Sequence, residues 1–89
     1  MTVFVMEHTY SKRADKQPWI VYNHYVGSVF KNIDDVLKEL RESYSQAEVN
    51  HNIHDVLLDF EGRRFRYRWT DDEGVEFECF IAAFSREVK

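Results

Sequence analysis

Val56-Leu-Leu-Asp-Phe-Glu-Gly-Arg-Arg-Phe-Arg-Tyr-Arg-Trp-Thr-Asp-Asp-Glu-Gly-Val-Glu-Phe-Glu-Cys-Phe-Ile81 is the stretch on which the fold turns. From Arg64 to Trp69 the chain alternates strictly: Arg64, Arg66 and Arg68 fall on one side of a pleat, Phe65, Tyr67 and Trp69 on the other. A period of two is the signature of a strand. Val75 to Ile81 alternates as well, with Val75, Phe77, Cys79 and Ile81 opposite Glu76, Glu78 and Phe80. Thr70-Asp71-Asp72-Glu73-Gly74 lies between them and ends in the residue that takes positive φ without steric cost, so a hairpin is predicted.

In this reading Trp69 faces Val75, Tyr67 faces Phe77 and Phe65 faces Cys79, while Arg68 meets Glu76 and Arg66 meets Glu78. A slip of one residue would set every arginine against an apolar partner and send one strand's rings to the wrong face. Upstream, Glu61-Gly62 is a two-residue turn signal that places Leu58 against Phe65, Val56 against Tyr67 and Asp59 against Arg64. The three strands then share one apolar face.

Arginines interleaved with aromatic rings also describe a nucleic-acid platform, with guanidiniums on phosphates and rings stacked on bases. Alternation works against it, because it puts Arg64, Arg66 and Arg68 on the face opposite Phe65, Tyr67 and Trp69. The expected arrangement is rings in the core and arginines paired with Asp59, Glu76 and Glu78 across the outer face, each pair contributing about 0.2–1 kcal/mol.

Working outward, Thr2 to Tyr10 is β-branched and aromatic and predicts an N-terminal strand. Ser11 to Gln17 reads as an exposed basic loop, and Pro18 withholds a ladder donor at the start of the next run. Trp19 to Tyr25 predicts a second strand, with Trp19, Val21 and Asn23 opposite Ile20, Tyr22 and His24. Gly27-Ser28 is a turn signal before a short segment, Val29-Phe30. Asn32 can cap a helix whose first turn holds Asp34 and Asp35, carboxylates suited to the positive end of the helix dipole. Ile33, Val36, Leu37, Leu40 and Tyr44 recur at helical spacing, so one amphipathic helix is expected from Ile33 to Tyr44 or Ser45. Gln46 to Asp55 is expected to be a polar connection to the meander.

The expected fold is α+β: one domain over residues 1–89, a single antiparallel sheet of about five strands in the order β-β-α-β-β-β, with the helix packed on the face of Phe65, Tyr67 and Trp69. Composition agrees, since 89 residues that are 44% hydrophobic and 16% aromatic suffice for one core. Cys79 is the only cysteine, which excludes an internal disulfide, and its parity points it inward beside Phe65 as a small hydrophobe. No apolar run approaches the roughly 18–20 residues of a membrane span, and the first residues lack a signal peptide's pattern. A cytoplasmic protein without a membrane partner is expected.

His51-Asn52-Ile53-His54-Asp55 offers imidazoles and a carboxylate of the kinds that suit zinc or nickel. With no second close ligand pair, no metal and no cofactor are expected. The phosphate-cradling, nucleophile-elbow and zinc-protease motifs are all absent from the sequence. The chain is accordingly expected to be a non-enzymatic protein-interaction domain, an accessory regulator or inhibitor acting through its open sheet face as a homodimer or with another protein. The candidate partner-binding residues are Arg64, Arg66, Arg68 and Phe80, supported by Glu76 and Glu78. The alternative is a single-stranded nucleic-acid binder using Arg63, Arg64, Arg66 and Arg68, with Lys12, Arg13 and Lys16 extending the positive track. The net charge of −4 weighs against that alternative.

Overall fold

A computed structural model describes residues 1–88. The elements are β1 (Thr2–Arg13), β2 (Ile20–Phe30), α1 (Ile33–Asn50), β3 (Ile53–Asp59), β4 (Arg64–Thr70) and β5 (Glu76–Glu87). All strands join one antiparallel sheet in the spatial order β2-β1-β5-β4-β3, so the chain is an α+β fold of the order β-β-α-β-β-β. Its shortest dimension is 18 Å, which admits one sheet and one helix layer at the usual spacing of about 10 Å and no more.

The core sits between α1 and one face of the sheet. Val36, Leu40 and Ala47 of the helix join Met6, Phe65, Tyr67, Cys79, Ile81 and Ala83 in one buried cluster, with Phe65, Val36 and Leu40 fully buried. The helix therefore covers the aromatic face of β4, as the two apolar stripes require. Asn32 caps it: the Asn32 side chain accepts from the Asp35 amide at 3.0 Å, and Asp34 and Asp35 occupy the first turn.

The β3–β4 register is the predicted one, with Val56 opposite Tyr67, Leu58 opposite Phe65 and Asp59 opposite Arg64. The turn between them uses Gly62 in an unexpected way. It is Arg63 that takes positive φ, at 56°, while Gly62 gives room: Asp59 Oδ1 accepts from the Gly62 amide at 2.9 Å, and a Cβ on Gly62 would lie 2.4 Å from Asp59 Oδ2.

The β4–β5 register differs from the predicted one by two residues. Trp69 faces Phe77, Tyr67 faces Cys79 and Phe65 faces Ile81, so Arg68 meets Glu78, Arg66 meets Phe80 and Glu76 meets Thr70. A shift of two keeps every side chain on its predicted face, so the hydrophobic pattern cannot tell the two registers apart. The loop decides. The Asp71 amide bonds the Val75 carbonyl at 3.0 Å, Gly74 at φ +84° donates to the Asp71 carbonyl, and Asp71 Oδ1 accepts from both the Glu73 and Val75 amides. This is a three-residue loop closed by a left-handed glycine, which puts Asp71 opposite Val75.

Three other expectations are corrected. β1 runs on to Arg13, because β5 is long enough to pair it through Glu76, so Ser11, Lys12 and Arg13 of the expected basic loop are strand. Gly27-Ser28 does not turn the chain: the register shifts there, opposite Met6, and β2 continues to Phe30. The glycine's role is close approach, since a Cβ on Gly27 would lie 3.0 Å from His8 Nε2. Finally, α1 continues to Asn50, with Ala47 carrying its buried stripe one turn further, so His54 and Asp55 belong to β3 and not to a loop.

Candidate interaction surface

Odd-numbered residues of β1 point away from the helix, and their cross-strand partners define the open face. Three rows cross it. Val21, Ser11, Glu78, Arg68 and Asp55 make one; His24, Thr9, Phe80, Arg66 and Leu57 the next; and Val26, Glu7, Ala82, Arg64 and Asp59 the third. No element of the chain packs on this face among the described residues.

The charged part of the face is neutralised from within. Arg66 and Arg68 each reach Asp55 at 3.4 Å and Glu78 at 3.8 Å, Arg64 reaches Asp59 at 3.2 Å, and Arg13 pairs with Glu76. The Arg13 guanidinium, more than any other neighbour, lowers the Glu76 carboxyl below its ordinary value. All six candidate residues, Arg64, Arg66, Arg68, Phe80, Glu76 and Glu78, thus lie on one face, but Arg13 and Asp55 complete the ladder. Asp55 was missed because the polar connection was expected to run through it and the strand to begin at Val56; the predicted β3–β4 register, continued by one residue, sets it opposite Arg68.

The wider positive track does not assemble. Arg63 lies over the Phe4 ring at 5.3 Å and Lys12 over the Tyr22 ring at 5.5 Å, both on the helix side, whereas Arg13, Arg64, Arg66 and Arg68 are on the open side. One ring does join the cations. Trp19, half-buried, has Arg13 4.6 Å and Arg68 5.1 Å from its centroid.

The histidines disperse as well. His51 closes α1 and stacks on Trp69 at 4.1 Å, His54 bonds the Thr70 hydroxyl at 2.9 Å, and Asp55 belongs to the arginine ladder. Among the described residues no group of three or more metal-ligating side chains comes together.

The largest share of the exposed apolar surface lies on β2, and a smaller one, Val56, Leu57 and Leu58 at 41–48%, on β3. Ile20, Val21, Tyr22, Tyr25, Val26 and Val29 are 43–60% exposed, counting both faces of the strand. β2 is also an edge of the sheet, eleven residues long, and Ile20 to Phe30 contains no lysine, arginine, aspartate or glutamate. Proteins ordinarily blunt such an edge with charge, proline, brevity or bulges; β2 lacks the first three and carries bulges at Tyr22 and at Gly27-Ser28, with Asn23 to Val26 as regular ladder between them, and an uncharged edge of this kind is a template for pairing with another chain. The opposite edge, β3, is blunted: it has seven residues and two aspartates. At one end of β2 the open face turns apolar too, where Val29, Val5 and Phe84 form a row and Phe84 is 41% exposed. This edge was legible as an uncharged run, but not as an edge, because strand order is not written in local pattern.

Cys79 lies opposite Tyr10 and Tyr67 on the helix side and is 2% exposed. Burial pushes its thiol up to about 11, although hydrogen bonds from Tyr67 and Tyr10 favour the thiolate. Burial also raises both tyrosine hydroxyls. A thiol whose folded value lies above its ordinary 9.0 contributes stability that is complete below pH 9 and is lost as pH rises toward 11. Urea melts of the wild type are expected to fall over that interval, and those of Cys79→Ala to fall less steeply there. Equal slopes would place the thiol outside the core. Comparison with protein-family models, with curated proteins and with solved structures finds no match for the chain.

Proposed function

We propose that this chain is a non-enzymatic protein-interaction domain that associates through its β2 edge and the adjoining apolar end of the open face, with a second copy of the chain as the partner. The observation that carries this reading is the eleven-residue edge strand without a formal charge, whose large apolar side chains are exposed on both faces. A second copy suits it because a two-fold axis brings each strand against itself, and an uncharged strand meets no like charge when it does so. The open face is compatible for the same reason: Arg13, Arg64, Arg66 and Arg68 are matched there by Asp55, Asp59, Glu76 and Glu78. Such a domain serves as an accessory regulator or inhibitor by occupying a protein surface. A single unpaired thiol suits the reducing cytoplasm.

Sedimentation equilibrium tests this directly. The mass is expected to rise with concentration from 10.8 kDa to twice that value, with weak dependence on salt, because the contact is apolar and backbone-mediated. A mass of 10.8 kDa held up to about millimolar concentration overturns it.

Trp19 beside Arg13 and Arg68 supports a second reading, the single-stranded nucleic-acid binder, because ring and cations there share one accessible face. On the first reading the arginines are occupied by carboxylates, and short single-stranded oligonucleotides at low salt do not bind. Tight, salt-sensitive binding that is lost on both Trp19→Ala and Arg66→Ala would establish the second.

A further inference from the structure

On the other side of the sheet, the second half of α1 stands off β1 and β2 and leaves a cleft of about 570 Å3, within the usual range for small-molecule sites. Its sheet wall is aromatic, with His8, Tyr10, Tyr25 and Tyr67; its helix wall carries Glu39 and Glu42. His8 stacks on Tyr25 with centroids 4.5 Å apart, and Tyr10 lies 6.0 Å from Tyr25, their hydroxyls 3.4 Å apart. The three rings make a nearly parallel platform.

We infer that this cleft binds a small organic ammonium ion. Glu39 and Glu42 stand three apart on α1 and so lie on one face of the helix, the face that looks onto the platform. Neither carboxylate has a salt-bridge partner among the described residues, and no lysine or arginine lines the cleft. The open face, by contrast, matches its carboxylates with arginines. Tyrosine rings present the negative face of their quadrupole to a cation, and a carboxylate on the facing wall supplies its counter-charge. An anion would meet two carboxylates and no cation there.

His8 brings no cation of its own to the platform: burial, opposed in part by the Glu39 carboxylate, lowers its imidazole below the ordinary value, so the ring is mainly uncharged at pH 7. The cleft shares Tyr25 with the β2 edge, but its carboxylates belong to α1 and its platform to the helix side of the sheet, so the loss of self-association and the loss of amine binding are read separately.

The test is a chemical-shift titration of the full-length protein with butylammonium and 1,4-diaminobutane, and with butyrate as the matched anion. Saturable shifts confined to the amides around His8, Tyr25, Glu39 and Glu42 are expected for the amines, and none for butyrate. The double variant Glu39→Gln with Glu42→Gln, isosteric and checked by thermal melt, is expected to weaken amine binding at least tenfold. A control, Glu48→Gln with Glu61→Gln, changes the net charge equally away from the cleft and is expected to leave binding unchanged. Shifts scattered over the acidic surface, equal shifts with butyrate, or equal weakening by the control pair would overturn the inference, as would amine binding indifferent to both double variants.

Discussion

Leu40→Asp is expected to leave the domain unfolded at room temperature. Leu40 is fully buried in the cluster that α1 forms with Met6, Phe65 and Ile81. Losing its side chain alone costs about 2–5 kcal/mol, and a carboxylate without a partner in the same apolar space adds several more. A domain of this size has about 5–10 kcal/mol in total at the lower end of the usual range, so the sum exceeds what it holds. Leu40→Ala calibrates the claim: it should remain folded with a clearly lower Tm, measured by circular dichroism. A Leu40→Asp protein that melts within about two degrees of wild type would mean that α1 does not cover the sheet.

Val26→Lys is expected to weaken self-association at least a hundredfold while leaving the melt nearly unchanged. Val26 is 56% exposed in the middle of β2, so a longer side chain there disturbs no packing, and a lysine reproduces the device by which edge strands are ordinarily kept apart. In a two-fold pairing centred on the middle of β2 the substitution would also bring two like charges together. Val49→Lys supplies the comparison, because Val49 is the most exposed large hydrophobe of α1, at 81%, and lies away from the β2 edge. Sedimentation should show a monomer for Val26→Lys and no change for Val49→Lys. Equal loss in both, or in neither, would remove β2 from the contact.

How much of this was legible varies by residue, for definable reasons. The strands, the helix with its Asn32 cap and the sidedness of Phe65, Tyr67 and Trp69 follow from periodicity, which records the two faces of an element. Periodicity is blind to shifts of two, so the partner of Arg68 was misassigned until the Asp71 and Gly74 loop geometry was known. It is blind also to bulges: Gly27-Ser28 carries the local signature of a turn, and what keeps it in a strand is the long β1 beside it. Arg64, Arg66, Arg68, Glu76, Glu78 and Phe80 lie on the predicted side of the pleat, yet the longest exposed apolar run lies on β2. Ile20 to Phe30 becomes an edge only because β5, from the far end of the chain, takes the other side of β1. Likewise the His8, Tyr25 and Glu39 cleft joins residues of three elements, and no spacing along the chain brings them together.

Pairing of β2 with its own copy would be visible amide by amide in hydrogen exchange of the β2 strand at two protein concentrations. In a lone sheet the amides of Ile20 to Phe30 that point away from β1 face water and exchange fast, whereas those bonded to β1 are protected. The outward set is expected to become protected as concentration rises through the association midpoint, the outward amides of the β3 edge to stay fast, and Val26→Lys to abolish the change. Outward β2 amides that exchange at the same fast rate while the sedimented mass doubles would show a dimer built elsewhere, and would contradict that pairing.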